Sequence, residues 1–119
     1  MNVLIVDDNQ SITNMLQKYL SIKGFEVEVS NNGKIGLSLI QKNQYHAVLL
    51  DLSMPDFSGL DLIEHLERTD SLKNQTIILF TASSVSNDTI SSLLNKDGIK
   101  ACLRKPVHLA ELVQTLSAV

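Results

Sequence analysis

A chain of 119 residues that is 44% hydrophobic and 19% charged has ordinary globular usage and enough length to bury a core without disulfide or metal staples. Thirteen acids against ten bases give a net charge of −3, and no basic run is longer than Arg104-Lys105, which excludes the electrostatic footprint of a nucleic-acid binder. The single cysteine, Cys102, excludes an internal bridge, and no Cys/His spacing suggests zinc.

The chain opens on Met1-Asn2-Val3-Leu4-Ile5-Val6 with no basic flank, long apolar region or cleavage site, and no window approaches 18 uninterrupted apolar residues. The expectation is an unexported, cytoplasmic protein that does not cross a membrane. Val3 to Val6 is a short, wholly apolar run typical of a strand covered on both faces. From Asn9 to Lys23 the period becomes helical, with Ile12, Leu16, Tyr19 and Leu20 on one stripe, Asn9 or Ser11 as the cap and Gly24 as the stop. Phe25 to Val29 alternates like a half-exposed strand near a sheet edge, and Asn31-Asn32-Gly33 leads into a helix carrying Ile35, Leu39 and Ile40.

Ala47 to Leu50 is again wholly apolar and therefore central. After Gly59 the spacing predicts a helix with Leu60, Ile63 and Leu66 on its stripe, then a buried strand over Thr76 to Phe80. Asn87 to Asn95 predicts a shorter helix around Ile90, Leu93 and Leu94, Lys100 to Leu103 a last strand and His108 to Ser117 a last helix. Five strand-helix units with no linker or repeat predict one α/β domain over residues 1–119, with a parallel sheet and helices on both faces.

Functional groups in such sheets gather at the carboxyl ends of the strands. Here Asp7-Asp8 follows Val6, Asp51 follows Leu50 and Thr81 follows Phe80. If those strands are neighbours the carboxylates converge, and like charges held together resist ionisation unless a cation joins them. With only oxygen ligands on offer, a hard divalent ion such as Mg²⁺ suits the cluster, and Lys105 after the last strand supplies a second cation. A carboxylate beside metal, lysine and hydroxyl can attack phosphorus and form an aspartyl phosphate, which makes Asp51 the candidate nucleophile.

Asp7-Asp8, "DLSMPDFSG" from Asp51 to Gly59, Thr81-Ala82 and Lys105-Pro106 occur in an order that resembles the response-regulator receiver domain of two-component signalling over essentially the whole chain. The resemblance implies a flavodoxin-like, doubly wound, five-stranded parallel sheet of strand order 2-1-3-4-5, an order for which a receiver protein is the standard example. It implies Asp51 as phosphoacceptor, and Mg²⁺ held by Asp8, Asp51 and the backbone carbonyl of Ser53, with Asp7 acting through water. Thr81 would hydrogen-bond a phosphoryl oxygen beside the small Ala82, Lys105 would pair with the phosphate, and the Lys105-Pro106 bond would be cis.

The implied partners are a histidine kinase or histidine phosphotransfer protein upstream and a protein target or further output domain downstream, with the chain a monomer or a phosphorylation-dependent dimer. The chain is expected to be no enzyme beyond catalysing its own phosphorylation and dephosphorylation. One position departs from the family: three residues before the lysine, where Tyr or Phe is usual, stands Cys102. A thiol cannot swing between buried and exposed positions with a comparable change in surface, so a different readout is expected over Asn87 to Val119. At Ser53 and Ser83, positions that in the family tune hydrolysis, small neutral residues imply an unremarkable to slow loss of phosphate.

Other readings fit less well. A phosphatase of the haloacid-dehalogenase kind needs Asp-x-Asp, and Ser53 stands at the second position; a nucleotide-binding module needs a Gly-rich turn where the chain has Asp7-Asp8-Asn9-Gln10-Ser11. A receiver-like binder without phosphorylation would not need the complete set of acids, threonine and lysine. His46, His65 and His108 are unclustered and read as surface or boundary residues.

Overall fold

Five short segments pair into one parallel sheet in the computed structural model, which describes residues 1–119. The strands are β1 (Asn2–Val6), β2 (Glu26–Ser30), β3 (Ala47–Leu50), β4 (Ile77–Thr81) and β5 (Ile99–Arg104), in the order β2-β1-β3-β4-β5. Between and after them run α1 (Gln10–Ile22), α2 (Gly33–Lys42), α3 (Gly59–Arg68), α4 (Asn87–Leu94) and α5 (Leu109–Ala118), with a short 3-10 turn at Leu72–Asn74 that the sequence pattern does not announce. This is the flavodoxin-like arrangement expected from the sequence.

Alternation along the strands divides the core in two. Val3, Ile5, Ala47, Leu49, Ile78, Phe80 and Leu103 face α1 and α5, whose Leu16, Leu20, Leu112 and Leu116 are fully buried. Leu4, Val6, Val48, Leu50, Ile77 and Leu79 face α2, α3 and α4. Two-sided cover explains why the inner strands carry no polar alternation. β2 at the edge does alternate, with Glu26 and Glu28 exposed.

Capping side chains start four of the helices: Asn9, Asn32, Ser58 and Ser86 each accept a backbone N–H of the first turn, and Ser58 with Asp61 forms a reciprocal capping box. Past the end of α1, Gly24 takes φ of +95°, the left-handed conformation that a side chain would disfavour. The buried stripes of three helices are displaced from the expected ones. Ile35, Leu60 and Leu94 are exposed, and α2 buries Gly36, Leu37 and Ile40, α3 buries Leu62, Ile63 and Leu66, and α4 buries Ile90 and Leu93.

Tyr45, buried at the opposite end of the sheet from the acids, donates its hydroxyl to Glu28 Oε1 at 2.5 Å. Burial and this partner push its phenol up to about 12. The folded chain therefore keeps that proton to higher pH than the unfolded chain, and stability falls as pH climbs from 10.0 toward about 12. Ultraviolet titration of the folded protein is expected to show a late tyrosine ionisation that Tyr45→Phe removes; a late step that survives the substitution would contradict the assignment.

Candidate functional site

Register brings two of the acids together. Val6 pairs with Leu50 in the parallel β1–β3 ladder, so the residues that follow, Asp7 and Asp51, leave neighbouring strands side by side. The ladder continues one step further, because Asp51 N–H donates to the Val6 carbonyl at 2.9 Å. Asp7 is fully buried and Asp51 is 3% exposed, whereas Asp8 reaches the surface. One oxygen from each of the three carboxylates lies within 4.8 Å of the others.

Local hydrogen bonds fix half of each buried carboxylate. Asp7 Oδ1 accepts Asn9 N–H at 2.9 Å, and Asp51 Oδ1 accepts Ser53 N–H at 3.1 Å. Asn31 Nδ2 donates to the Asp7 carbonyl at 2.7 Å and to Thr13 Oγ1 at 3.1 Å, anchoring the acidic turn from the β2 side. The remaining oxygens face Lys105, whose Nζ stands 2.8 Å from Asp7 Oδ2 and 3.5 Å from Asp51 Oδ2. The shorter contact is an ion pair to a fully buried carboxylate oxygen.

Electrostatics follow from this crowding. Burial pushes the Asp51 carboxyl above its ordinary value; the Ser53 N–H pulls it down, Asp7 raises it, and Lys105 lowers it, with burial and Asp7 prevailing. Burial alone would lower the Lys105 ammonium, but Asp7 and then Asp51 outweigh it and hold the lysine charged to higher pH. Three acids against one lysine leave the cluster short of positive charge. Its donors are oxygens only, one from each of three carboxylates within 4.8 Å of one another, and fit a hard divalent cation such as Mg²⁺.

Thr81 closes the site from β4. It is fully buried, its Oγ1 has no hydrogen-bond partner, and its carbonyl accepts Lys105 N–H at 2.7 Å. The Lys105-Pro106 bond is cis. Asp7, Asp8, Asp51, Thr81 and Lys105 thus all stand at the carboxyl edge of the sheet, and Ser53 lies two residues beyond Asp51. None of His46, His65 and His108 joins the cluster: His46 Nε2 donates to the Leu116 carbonyl at 2.8 Å, His65 lies beside Gln41, and His108 precedes α5. Cys102 is partly buried, and burial pushes its thiol up while Arg104 pulls the other way.

The start of α3 presses on the acid from behind. A side-chain carbon at Gly59 would come within 2.3 Å of the Asp51 carbonyl oxygen and 2.8 Å of Leu52 Cα. Gly59→Ala must therefore push α3 away from the Asp51 turn, with an expected loss of about 1–3 kcal/mol in denaturant unfolding and weaker divalent-ion binding. Unchanged unfolding and ion affinity would contradict that dependence.

A parallel sheet of order 2-1-3-4-5 with an acidic cation pocket at its carboxyl edge places the chain among flavodoxin-like folds of the chemotaxis-regulator type. The chain belongs to the response regulator receiver domain family, whose model matches residues 3–117. It is 33% identical to the uncharacterized transcriptional regulatory protein YkoG of Bacillus subtilis over 98% of this chain and 50% of that protein. The chain spans about half the length of the first curated relatives it matches. Among solved structures, the chemotaxis protein CheY4 of Vibrio cholerae superposes with a TM-score of 0.85 at 27% identity, covering 99% of this chain and 97% of that one. The response regulator TrrA of Thermotoga maritima, solved in complex with Mg²⁺ and BeF, gives 0.83 at 28% identity, covering 98% and 96%. Receiver domains are signalling modules of two-component systems that bind Mg²⁺ at an acidic pocket and work with histidine kinases and output domains. No helix of the chain is long and apolar enough to cross a membrane.

Proposed function

We propose that this receiver domain accepts a phosphoryl group on Asp51 from a phosphohistidine partner and returns it by hydrolysis. The observation that carries the reading is the juxtaposition of two buried carboxylates, Asp7 and Asp51, on one lysine, with the Thr81 hydroxyl buried and unpaired nearby. A fold gains nothing in stability from such an arrangement, since clustered buried acids and an orphan hydroxyl each cost free energy. Groups held at that cost are characteristic of sites that bind something.

In this reading Asp8, Asp51 and the Ser53 carbonyl would hold Mg²⁺, with Asp7 assisting through water. The ion, when bound, supplies charge neutralisation for the incoming phosphoryl oxygens. Asp51 Oδ2, on the side of the carboxylate that faces Lys105, attacks phosphorus; the phosphorus–nitrogen bond of the donor breaks and its electron pair returns to the imidazole. Lys105, held charged between the acids, pairs with a phosphoryl oxygen, and the Thr81 hydroxyl donates to another. The Mg²⁺–BeF complex of TrrA, a relative of nearly the same length, supports this ligand class.

With Cys102 half-buried where an aromatic ring is usual, the signal is read out without a ring swinging inward. The recipient is a protein target or an output domain, in keeping with relatives named as transcriptional regulators. Small residues at 53 and 83, both exposed, offer no carboxamide or acid to orient attacking water, so loss of the phosphoryl group is unremarkable to slow.

Incubation with Mg²⁺ and acetyl phosphate followed by intact mass tests the proposal. One phosphoryl addition is expected, dependent on the metal. No addition under any divalent ion would overturn it.

A further inference from the structure

Arg104 ends β5 in register with Thr81 and is a charged side chain to which phosphoryl transfer assigns no part. Its guanidinium gathers the β4–α4 loop. Nη1 donates to the carbonyls of Val85 at 2.8 Å, Ala82 at 3.3 Å and Ser83 at 3.4 Å, and Nη2 donates to Asn87 Oδ1 at 2.8 Å. Helix electrostatics do not explain a cation here, since the N-terminal end of α4 carries partial positive charge. What the position offers is a fan of acceptors matched to a planar, multi-donor group.

Apart from Arg104 the loop is held by Val85, partly buried against the core, and by few hydrogen bonds. Within it, Val85 N–H reaches the Ala82 carbonyl at 3.3 Å, and Ser86 caps α4. Directly before it stands Thr81, wholly buried, with its hydroxyl unpaired. A buried hydroxyl without a partner is unfavourable, and a chain free to relax would move to satisfy it. The Thr81 carbonyl is pinned by Lys105 N–H, and the carbonyls of Ala82, Ser83 and Val85 by Arg104.

We propose that Arg104 is a positioning residue for phosphoryl binding: by fixing the loop after Thr81 through its carbonyls, it keeps the Thr81 hydroxyl unpaired and ready for a phosphoryl oxygen. The guanidinium does not touch the phosphoryl group. Through Asn87 the same side chain ties this loop to the first turn of α4, a connection made without an aromatic ring at position 102. The inference rests on Asp51 as the acceptor and deepens that reading.

Calorimetric titration with fluoroberyllate in the presence of Mg²⁺, and with Mg²⁺ alone, separates the two. Arg104→Met and Arg104→Lys are both expected to bind fluoroberyllate about tenfold more weakly than the wild type, because lysine keeps the charge but not the fork. Mg²⁺ affinity alone should change by less than about twofold, the acids being untouched. Asn87→Ala, which removes one acceptor and no charge, should weaken fluoroberyllate by about two- to threefold. Wild-type affinity in Arg104→Lys would show that charge alone matters and overturn the inference. So would a loss confined to melting temperature with fluoroberyllate affinity intact, the mark of a mere brace. Failure of the acceptor reading shows itself separately, as absence of fluoroberyllate binding by the wild type, and would remove this inference with it.

Discussion

Asp51→Asn is expected to abolish phosphoryl labelling and, at the same time, to stabilise the metal-free protein. The second effect follows from the carboxyl's raised titration, caused by burial first and by Asp7 as well. A carboxyl that holds its proton to higher pH when folded makes stability fall as pH rises from the ordinary value of 3.8 through the folded one. Neutral pH lies above the onset of that fall, so the wild type is destabilised there, and the amide escapes it. A gain of about 0.5–2 kcal/mol is expected in urea unfolding with chelator, the usual size for relieving a functional site. The gain should shrink in acid, below about pH 4, where the wild-type carboxyl is neutral as well. With Mg²⁺ at about one hundred times its dissociation constant the wild type gains about 2.7 kcal/mol by mass action, and the variant should lose most of that increment. A destabilised, still-labelled Asn variant would contradict both halves.

Lys105→Met carries the opposite sign. Lys105 neutralises Asp7 at 2.8 Å and Asp51 at 3.5 Å, and its side chain is 22% exposed. Removing one partner of a buried pair leaves an uncompensated charge and costs about 3 kcal/mol, the lower end of the range because the lysine keeps some access to water. Because the folded lysine titrates above its ordinary value of 10.5, the wild-type contribution is fully present below that pH and is lost only as pH rises through the folded value. Mg²⁺ should bind the Met variant more tightly, since a competing cation is gone, while acetyl-phosphate labelling falls by at least about tenfold for want of charge on the phosphoryl oxygens. Chemical denaturation and ion titration on the same sample check both; weaker Mg²⁺ binding would contradict the competition.

The central strands were legible because two-sided burial writes continuous apolar runs, and the acids that end Val3–Val6 and Ala47–Leu50 stand out against them, whereas the strand order came only with the family resemblance. Stripe phases on the outer helices were less so. In α2 the buried face is built on Gly36, where an added carbon would meet Val6 Cγ1 at 2.8 Å; a glycine chosen for close approach leaves no hydrophobic mark, and Ile35 draws the eye instead. In α3 the contact of Gly59 with the Asp51 turn sets the rotation that sends Leu60 outward. Asp7, Asp8, Asp51, Thr81 and Lys105 could be named from their places after strands. Arg104 could not, because its partners are backbone carbonyls across a loop, and nothing in a residue's type discloses which carbonyls will turn toward it.

Locating the phosphoryl group itself tests the central claim most directly. After labelling with acetyl phosphate and Mg²⁺, borohydride reduction of the acyl phosphate and peptide mapping should find homoserine at position 51 alone. Modification at Asp7 or Asp8, or a label that resists borohydride because it sits on a histidine, would contradict Asp51 as the acceptor.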